Sequence, residues 1–281
     1  MSKSRLRRVG LALGALALAG CATGLFEDGR ARALRIAAEH GFATAHVDGG
    51  AFTLFSAYRG RRGAGARLVV YIEGDGRAWA NRYVQSDDPT PLEPVALELA
   101  VRDDAPLVAY IARPCQFTRP EAQETCPPRY WSSHRYAPEV IEATGRVVDH
   151  YKSVLGANEV ELVGYSGGGA IAALLAATRG DVAALTTIAA TLDHRAWTSH
   201  HGLTPMAGSL NPADFAEALA RIPQLHLVGS DDSVVPPLVA EAYMAHMADR
   251  SHSRVVRIDD FGHVCCWVRR WPGLRTAYHA L

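Results

Sequence analysis

Between Val160 and Ala177 the chain passes from an apolar run, Val160-Glu161-Leu162-Val163, through Gly164-Tyr165-Ser166-Gly167-Gly168-Gly169 and into a run rich in Ala and Leu. A serine at the tip of a sharp strand-to-helix turn needs neighbours without bulky side chains, because the backbone there is strained and the flanking strand and helix approach closely. Gly164 and Gly168 supply that space, and Ala170 to Ala177 are good helix formers. The stretch predicts a strand, a tight turn carrying Ser166, and a helix. The same glycines fit a loose dinucleotide fingerprint, Gly167-Gly168-Gly169-Ala170-Ile171-Ala172 with Asp193 downstream. That fingerprint normally closes the first strand of its domain, whereas at least three strand-like runs come earlier here. Ser166 is therefore the functional residue of the motif.

Around this motif strand and helix signals alternate. Residues 42–58 read as one or two opening strands with a turn at Asp48-Gly49-Gly50. Leu68 to Ile72, Leu107 to Ala112, Val160 to Val163, Ala184 to Ala189, Leu225 to Val228 and Val255 to Ile258 are short apolar runs of buried-strand type. Leu92 to Val101, Pro138 to Leu155 and Pro236 to Ala248 show helical spacing. Such alternation predicts an α/β fold with a mainly parallel sheet covered by helices on both faces. Ligands of such sheets bind outside the carboxyl ends of the strands. Two segments there, Arg113 to Arg135 and Asp193 to Arg221, are longer than ordinary connections, and we read them as walls of a pocket.

Near the N-terminus, Lys3, Arg5, Arg7 and Arg8 precede an apolar run from Val9 to Ala19 that ends in Leu18-Ala19-Gly20-Cys21. The run is too short to span a bilayer, and small residues before Cys21 suit a cleavage site. The tetrapeptide resembles the bacterial lipobox, which implies a signal peptide over residues 1–20, cleavage before Cys21 and lipid on that cysteine. Ala22 resembles the outer-membrane sorting pattern, so the expected place is the cell envelope, anchored at the periplasmic side of the outer membrane. The mature chain, 21–281, is expected to form one domain.

A serine hydroxyl is a poor nucleophile until a histidine accepts its proton, and that histidine needs a carboxylate to fix its tautomer. Asp232 follows the run Leu225 to Val228, and His263 follows Val255 to Ile258. The order Ser166, Asp232, His263 is the one expected of an α/β-hydrolase. At this point most of the mature chain resembles the serine hydrolases of the α/β-hydrolase superfamily, with an α/β-hydrolase fold and lid or cap loops. The family pattern Gly-x-x-Asp-x-x-Val-Pro falls on Gly229, Asp232, Val235 and Pro236, favouring Asp232 over Asp231, and the pattern Gly-His falls on Gly262-His263. Asp193 is the reserve acid. The resemblance implies an oxyanion hole made by the backbone N–H groups of Gly167 and of Asp75, in the loop after Leu68 to Ile72. Many relatives carry His-Gly where this chain has Glu73-Gly74, so two carboxylates stand beside the hole unless Arg77 or a neighbour neutralises them. The implied activity is hydrolysis of a small-molecule or lipid ester, without a cofactor. A thioesterase, a peptidase, or a non-catalytic envelope lipoprotein using the fold for binding are the alternatives.

Lysine plus arginine and aspartate plus glutamate balance at 29 each, and with no basic cluster beyond the signal nothing supports nucleic-acid binding. Besides Cys21 the cysteines are Cys115, Cys126, Cys265 and Cys266, an even number that suggests disulfides in an oxidising compartment. Cys115 with Cys126 is the favoured pair. Cys265 and Cys266 could join each other only through a strained vicinal bridge, and crossed pairing between the two sets stays open. None shows zinc-site spacing, and His194, His200 and His201 lack accompanying carboxylate spacing, so no metal is expected.

Overall fold

A computed structural model describes residues 28–81, 83–118 and 126–278. The expected signal peptide and Cys21 lie outside the described residues.

The described residues open with helix α1 (Gly29–Glu39), capped by the Asp28 carboxylate accepting the Ala31 N–H at 2.7 Å. Strands β1 (Ala43–Asp48) and β2 (Thr53–Arg59) form an antiparallel pair, followed by β3 (Arg67–Ile72), helix α2 (Val95–Ala100) and β4 (Val108–Ile111). Then come α3 (Pro138–Leu155), β5 (Glu159–Tyr165), α4 (Gly167–Thr178) and β6 (Val182–Ile188). The second half adds α5 (His194–His201), α6 (Ala216–Leu219), β7 (Gln224–Gly229), α7 (Leu238–Ala245), β8 (Ser253–Ile258) and α8 (Trp267–Tyr278). The eight strands lie in the order β1-β2-β4-β3-β5-β6-β7-β8, parallel from β4 onward.

The central strands β3 and β4 are apolar on both faces because both faces are covered, whereas the edge strand β1 is largely exposed and the edge strand β8 partly so. Leu68, Val70 and Ile72 of β3 pack with α3 and α4, while Val69 and Tyr71 of the same strand pack with α1, α2 and α8. Helix α3 obeys its sequence signals: Pro138 takes the first turn, Val140, Val147, Tyr151 and Leu155 are buried, and Gly156 ends it in the left-handed conformation at φ 72°. Helix α8 docks through buried Trp267, Trp271 and Leu274. Its Arg275 is paired with the buried carboxylates of Asp103, at 3.1 Å, and Glu161.

The structure departs from the sequence expectation at four helices. The segment Asp193 to Arg221, expected as a long loop, contains α5 and α6, and α1 and α8 occupy stretches where no element was expected.

For function, the decisive feature is the register between β3 and β5, where Ile72 stands opposite Gly164. The loop Glu73 to Gly76 and the turn at Ser166 therefore leave the sheet side by side.

Candidate active site

Ser166 stands between β5 and α4 at φ 53° and ψ −123°, a conformation that a non-glycine residue adopts only when its surroundings impose it. The neighbouring glycines are what make the turn possible. A Cβ on Gly164 would lie 2.4 Å from the Gly168 carbonyl oxygen, and one on Gly168 would lie 2.2 Å from that of Ile72.

His263, in the loop after β8, has Nε2 at 3.1 Å from Ser166 Oγ and Nδ1 at 2.9 Å from Asp232 Oδ2. Asp232 is buried, and its Oδ1 accepts the N–H groups of Val234 and Val235, each at 2.8 Å. An ionised carboxylate only accepts, so Nδ1 of the facing ring carries the proton and Nε2 is left to accept from the serine hydroxyl. The His263 carbonyl is held in turn by the Tyr165 hydroxyl at 3.0 Å and Trp267 Nε1 at 2.9 Å. These two supports escaped the sequence reading, since their partner is a main-chain atom that no residue pattern marks. Asp231 is exposed and accepts from Ser230 Oγ at 2.8 Å. Asp193 caps α5, accepting the N–H groups of Arg195 and Ala196 at 3.0 and 3.1 Å.

Gly167 begins α4, where the first N–H groups of a helix have no partner within it. Asp75 N–H likewise makes no hydrogen bond among the described residues. Both can therefore donate to a substrate oxygen. The side chain of Asp75 is clamped: Oδ1 accepts from Arg113 Nη1 at 2.7 Å and Oδ2 from Arg135 Nη1 at 2.6 Å. Burial pushes this carboxyl up, but the Arg135 and Arg113 guanidiniums outweigh burial and hold it below its usual range. Arg113 Nη2 also donates to the Arg135 carbonyl, and Gln116 Nε2 to the Gly74 carbonyl at 2.9 Å. The neutralising cations expected beside the carboxylates are thus Arg113 and Arg135. Arg77 is exposed on the cleft wall and makes no ion pair with Asp75.

Glu73 lies fully buried, and burial raises its carboxyl to about 7 against the opposing N–H groups of Gly74 and Ala96 and the Tyr110 hydroxyl. A carboxyl near neutrality beside the hole adds less negative charge than the sequence suggests. With Asp75 offset by two guanidiniums, the site favours developing negative charge.

These groups line a cleft of about 480 Å³, walled by Trp79, Leu92, Trp197, Val234 and Val264 among others. Of the long segment 113–135, expected as a pocket wall, residues 113–118 and 126–135 are described. Its Arg135 reaches the cleft, but Trp131 is buried with Nε1 on the Ser86 carbonyl at 3.0 Å, and Tyr130 packs edge-on against Phe52. The segment braces the oxyanion loop from behind. Its cysteines Cys115 and Cys126 are joined, with Cα atoms 5.5 Å apart. Cys265 and Cys266 are joined to each other, so the crossed pairing does not form. Among the described residues no cluster of His, Cys, Asp or Glu could hold a metal ion, and no helix is long and apolar enough to cross a membrane.

The family described as Serine hydrolase (FSH1) matches residues 91–264, and the chain belongs to it. No curated protein matches the chain. Among solved structures, Est1E from Butyrivibrio proteoclasticus is similar with a TM-score of 0.59 at 15% identity, covering 84% of this chain and 97% of that one. TT1662 from Thermus thermophilus gives 0.55 at 18% identity over 85% and 97%. XC6422 from Xanthomonas campestris, described as an a/b serine hydrolase without lid, gives 0.54 at 15% over 84% and 91%. At these identities the likeness establishes the architecture, and the architecture is the α/β-hydrolase fold.

Proposed function

We propose that this hydrolase cleaves a carboxylic ester through an acyl-enzyme intermediate and works in the cell envelope, held by lipid on Cys21. The observation that carries the chemistry is the chain of contacts from Ser166 Oγ to His263 Nε2 at 3.1 Å and from His263 Nδ1 to Asp232 at 2.9 Å. Ser166 Oγ attacks the ester carbonyl carbon as its proton passes to His263 Nε2. The carbonyl oxygen becomes an oxyanion and accepts the Gly167 and Asp75 N–H groups. The C–O bond to the alcohol then breaks, His263 returns the proton to the departing alcohol, and the acyl group remains on Ser166. Water repeats the sequence, giving its proton to His263 and releasing the acid. Asp232 keeps the ring in the required tautomer throughout.

What supports the anchor is the run Leu18-Ala19-Gly20-Cys21 behind a short basic and apolar segment. Two or three acyl chains bind a membrane far more firmly than one. A fluorophosphonate probe tests the chemistry: the wild-type protein labels and Ser166→Ala does not, and a screen of esters against thioesters and amides then fixes the bond class. An unlabelled wild-type protein would favour the binding-scaffold alternative. Metabolic palmitate labelling that persists in Cys21→Ser would place the anchor elsewhere.

A further inference from the structure

Nine large apolar side chains remain exposed among the described residues, and six of them gather in one place. Trp79 (48% exposed), Leu92 (54%), Val234 and Val264 line the cleft. Tyr83 (77%) and Val84 lie on the adjoining turn, closed by the Ala80 N–H to Val84 carbonyl bond at 2.9 Å and by the bridge from Trp79 to Gln85. Single exposed apolar residues need no explanation, but a gathered set marks a binding surface. Substrate alone accounts poorly for this one, because Tyr83 and Val84 are outside the cleft lining.

The described chain also begins at this face. A Cβ on Gly29 would lie 2.2 Å from the Pro91 carbonyl oxygen, and Arg32 stands 3.8 Å from Glu93. Pro91, Leu92 and Glu93 all line the cleft. Cys21 precedes Asp28 by only seven residues, which even fully extended span about 25 Å. Acyl chains on Cys21 are therefore confined to the neighbourhood of the cleft mouth.

We infer that the apolar mouth docks on the phospholipid surface that receives the Cys21 acyl chains, so that the cleft opens toward lipid; this rests on the lipid-anchored reading above. Trp79 and Tyr83 suit that level, since their rings are apolar with a polar edge and favour the membrane interface. Exposed Arg77 on the same wall meets anionic headgroups.

The test uses the full acylated chain in vesicles of phosphatidylethanolamine and phosphatidylglycerol, with and without bromine on the lipid chains. Of the five tryptophans Trp131, Trp267 and Trp271 are buried and Trp197 is half-buried, leaving Trp79 exposed to report on lipid. Bromolipid should quench the emission, and Trp79→Phe should remove most of that quenching. Tyr83→Ser with Val84→Asp should weaken it while the chain still floats with the vesicles. A floating chain whose emission is unchanged by bromolipid overturns the docking alone. Unchanged emission in a chain that cross-links as a dimer through this face assigns the patch to a second copy and likewise overturns it. A chain that does not float overturns both the docking and the anchored reading.

Discussion

The Asp75 carboxylate fills the space that a side chain at Gly167 would need: a Cβ on Gly167 would lie 2.0 Å from Asp75 Oδ1. A flexible carboxylate normally swings aside at small cost. This one is gripped by Arg113 and Arg135, so the residue after Ser166 must be glycine. Gly167→Ala is expected to displace the oxyanion loop and lower kcat by roughly 10²- to 10³-fold, the usual cost of losing one oxyanion donor. Overpacking should also lower stability by about 1–3 kcal/mol. Ester turnover and urea unfolding of the same preparation check both, and a near-normal kcat would show that the loop yields.

The clamp itself should be strongly coupled. Asp75→Ala leaves two guanidiniums, exposed by only 4% and 9%, without their shared carboxylate, and breaking such a buried pair costs about 3–5 kcal/mol. Removing Arg113 as well, in Asp75→Ala with Arg113→Met, relieves part of the unpaired charge. A double-mutant cycle by urea unfolding should therefore give a total loss smaller than the sum of the single losses. Simple additivity would mean that Arg113 and Asp75 act independently.

Glu73 gives a pH dependence with a definite sign. Its carboxyl is raised from 4.5 to about 7 in the folded chain. Below 4.5 both folded and unfolded chains hold the proton. Between 4.5 and 7 only the unfolded chain releases it, so the wild type loses stability as pH rises through this window, by about 3 kcal/mol in all. Glu73→Gln cannot titrate and keeps an acceptor for the Gly74 N–H. The stability difference should therefore shift in favour of the variant from pH 4.5 to 7 and stay level above, as followed by urea unfolding at several pH values. A constant difference across that range would show that Glu73 ionises normally.

How far the sequence discloses this site follows from how local each feature is. The turn at Ser166 is legible because Gly164 and Gly168 answer to contacts within a few residues and with one adjacent strand. Asp232 and His263 are legible because each follows the end of an apolar run. Arg113 and Arg135 are not, since they stand 22 residues apart and converge on a carboxylate 38 and 60 residues before them. The two acidic residues at Glu73 and Asp75 showed that cations were needed but not where they would come from. Helix α5 hides for a different reason. His200, His201, Thr198 and Ser199 are weak helix formers, and the element is held by the Asp193 cap and by Trp197 Nε1 on the Val234 carbonyl at 2.7 Å. Helix α8 hides behind Pro272, although Trp267, Trp271 and Leu274 keep helical spacing on its buried face.

The bridge between Cys115 and Cys126 lies in the segment between Arg113 and Arg135, the two arms of the clamp, so its loss should reach the active site before the core. Gln116 follows Cys115 directly and Arg113 stands two residues before it, and Gln116 holds the Gly74 carbonyl. On the chain-entropy account a loop of this separation, 11 residues, is worth roughly 3 kcal/mol, with much of it felt as local order. In Cys115→Ser with Cys126→Ser, amides of the segment and of the Glu73 to Gly76 loop should exchange faster than those of β5 and α4, and kcat should fall more than KM rises. Hydrogen exchange by mass spectrometry alongside ester kinetics reads both. Uniformly faster exchange across the sheet would mean that the bridge stabilises the whole fold, and unchanged exchange in the Glu73 to Gly76 loop would detach the segment from the site.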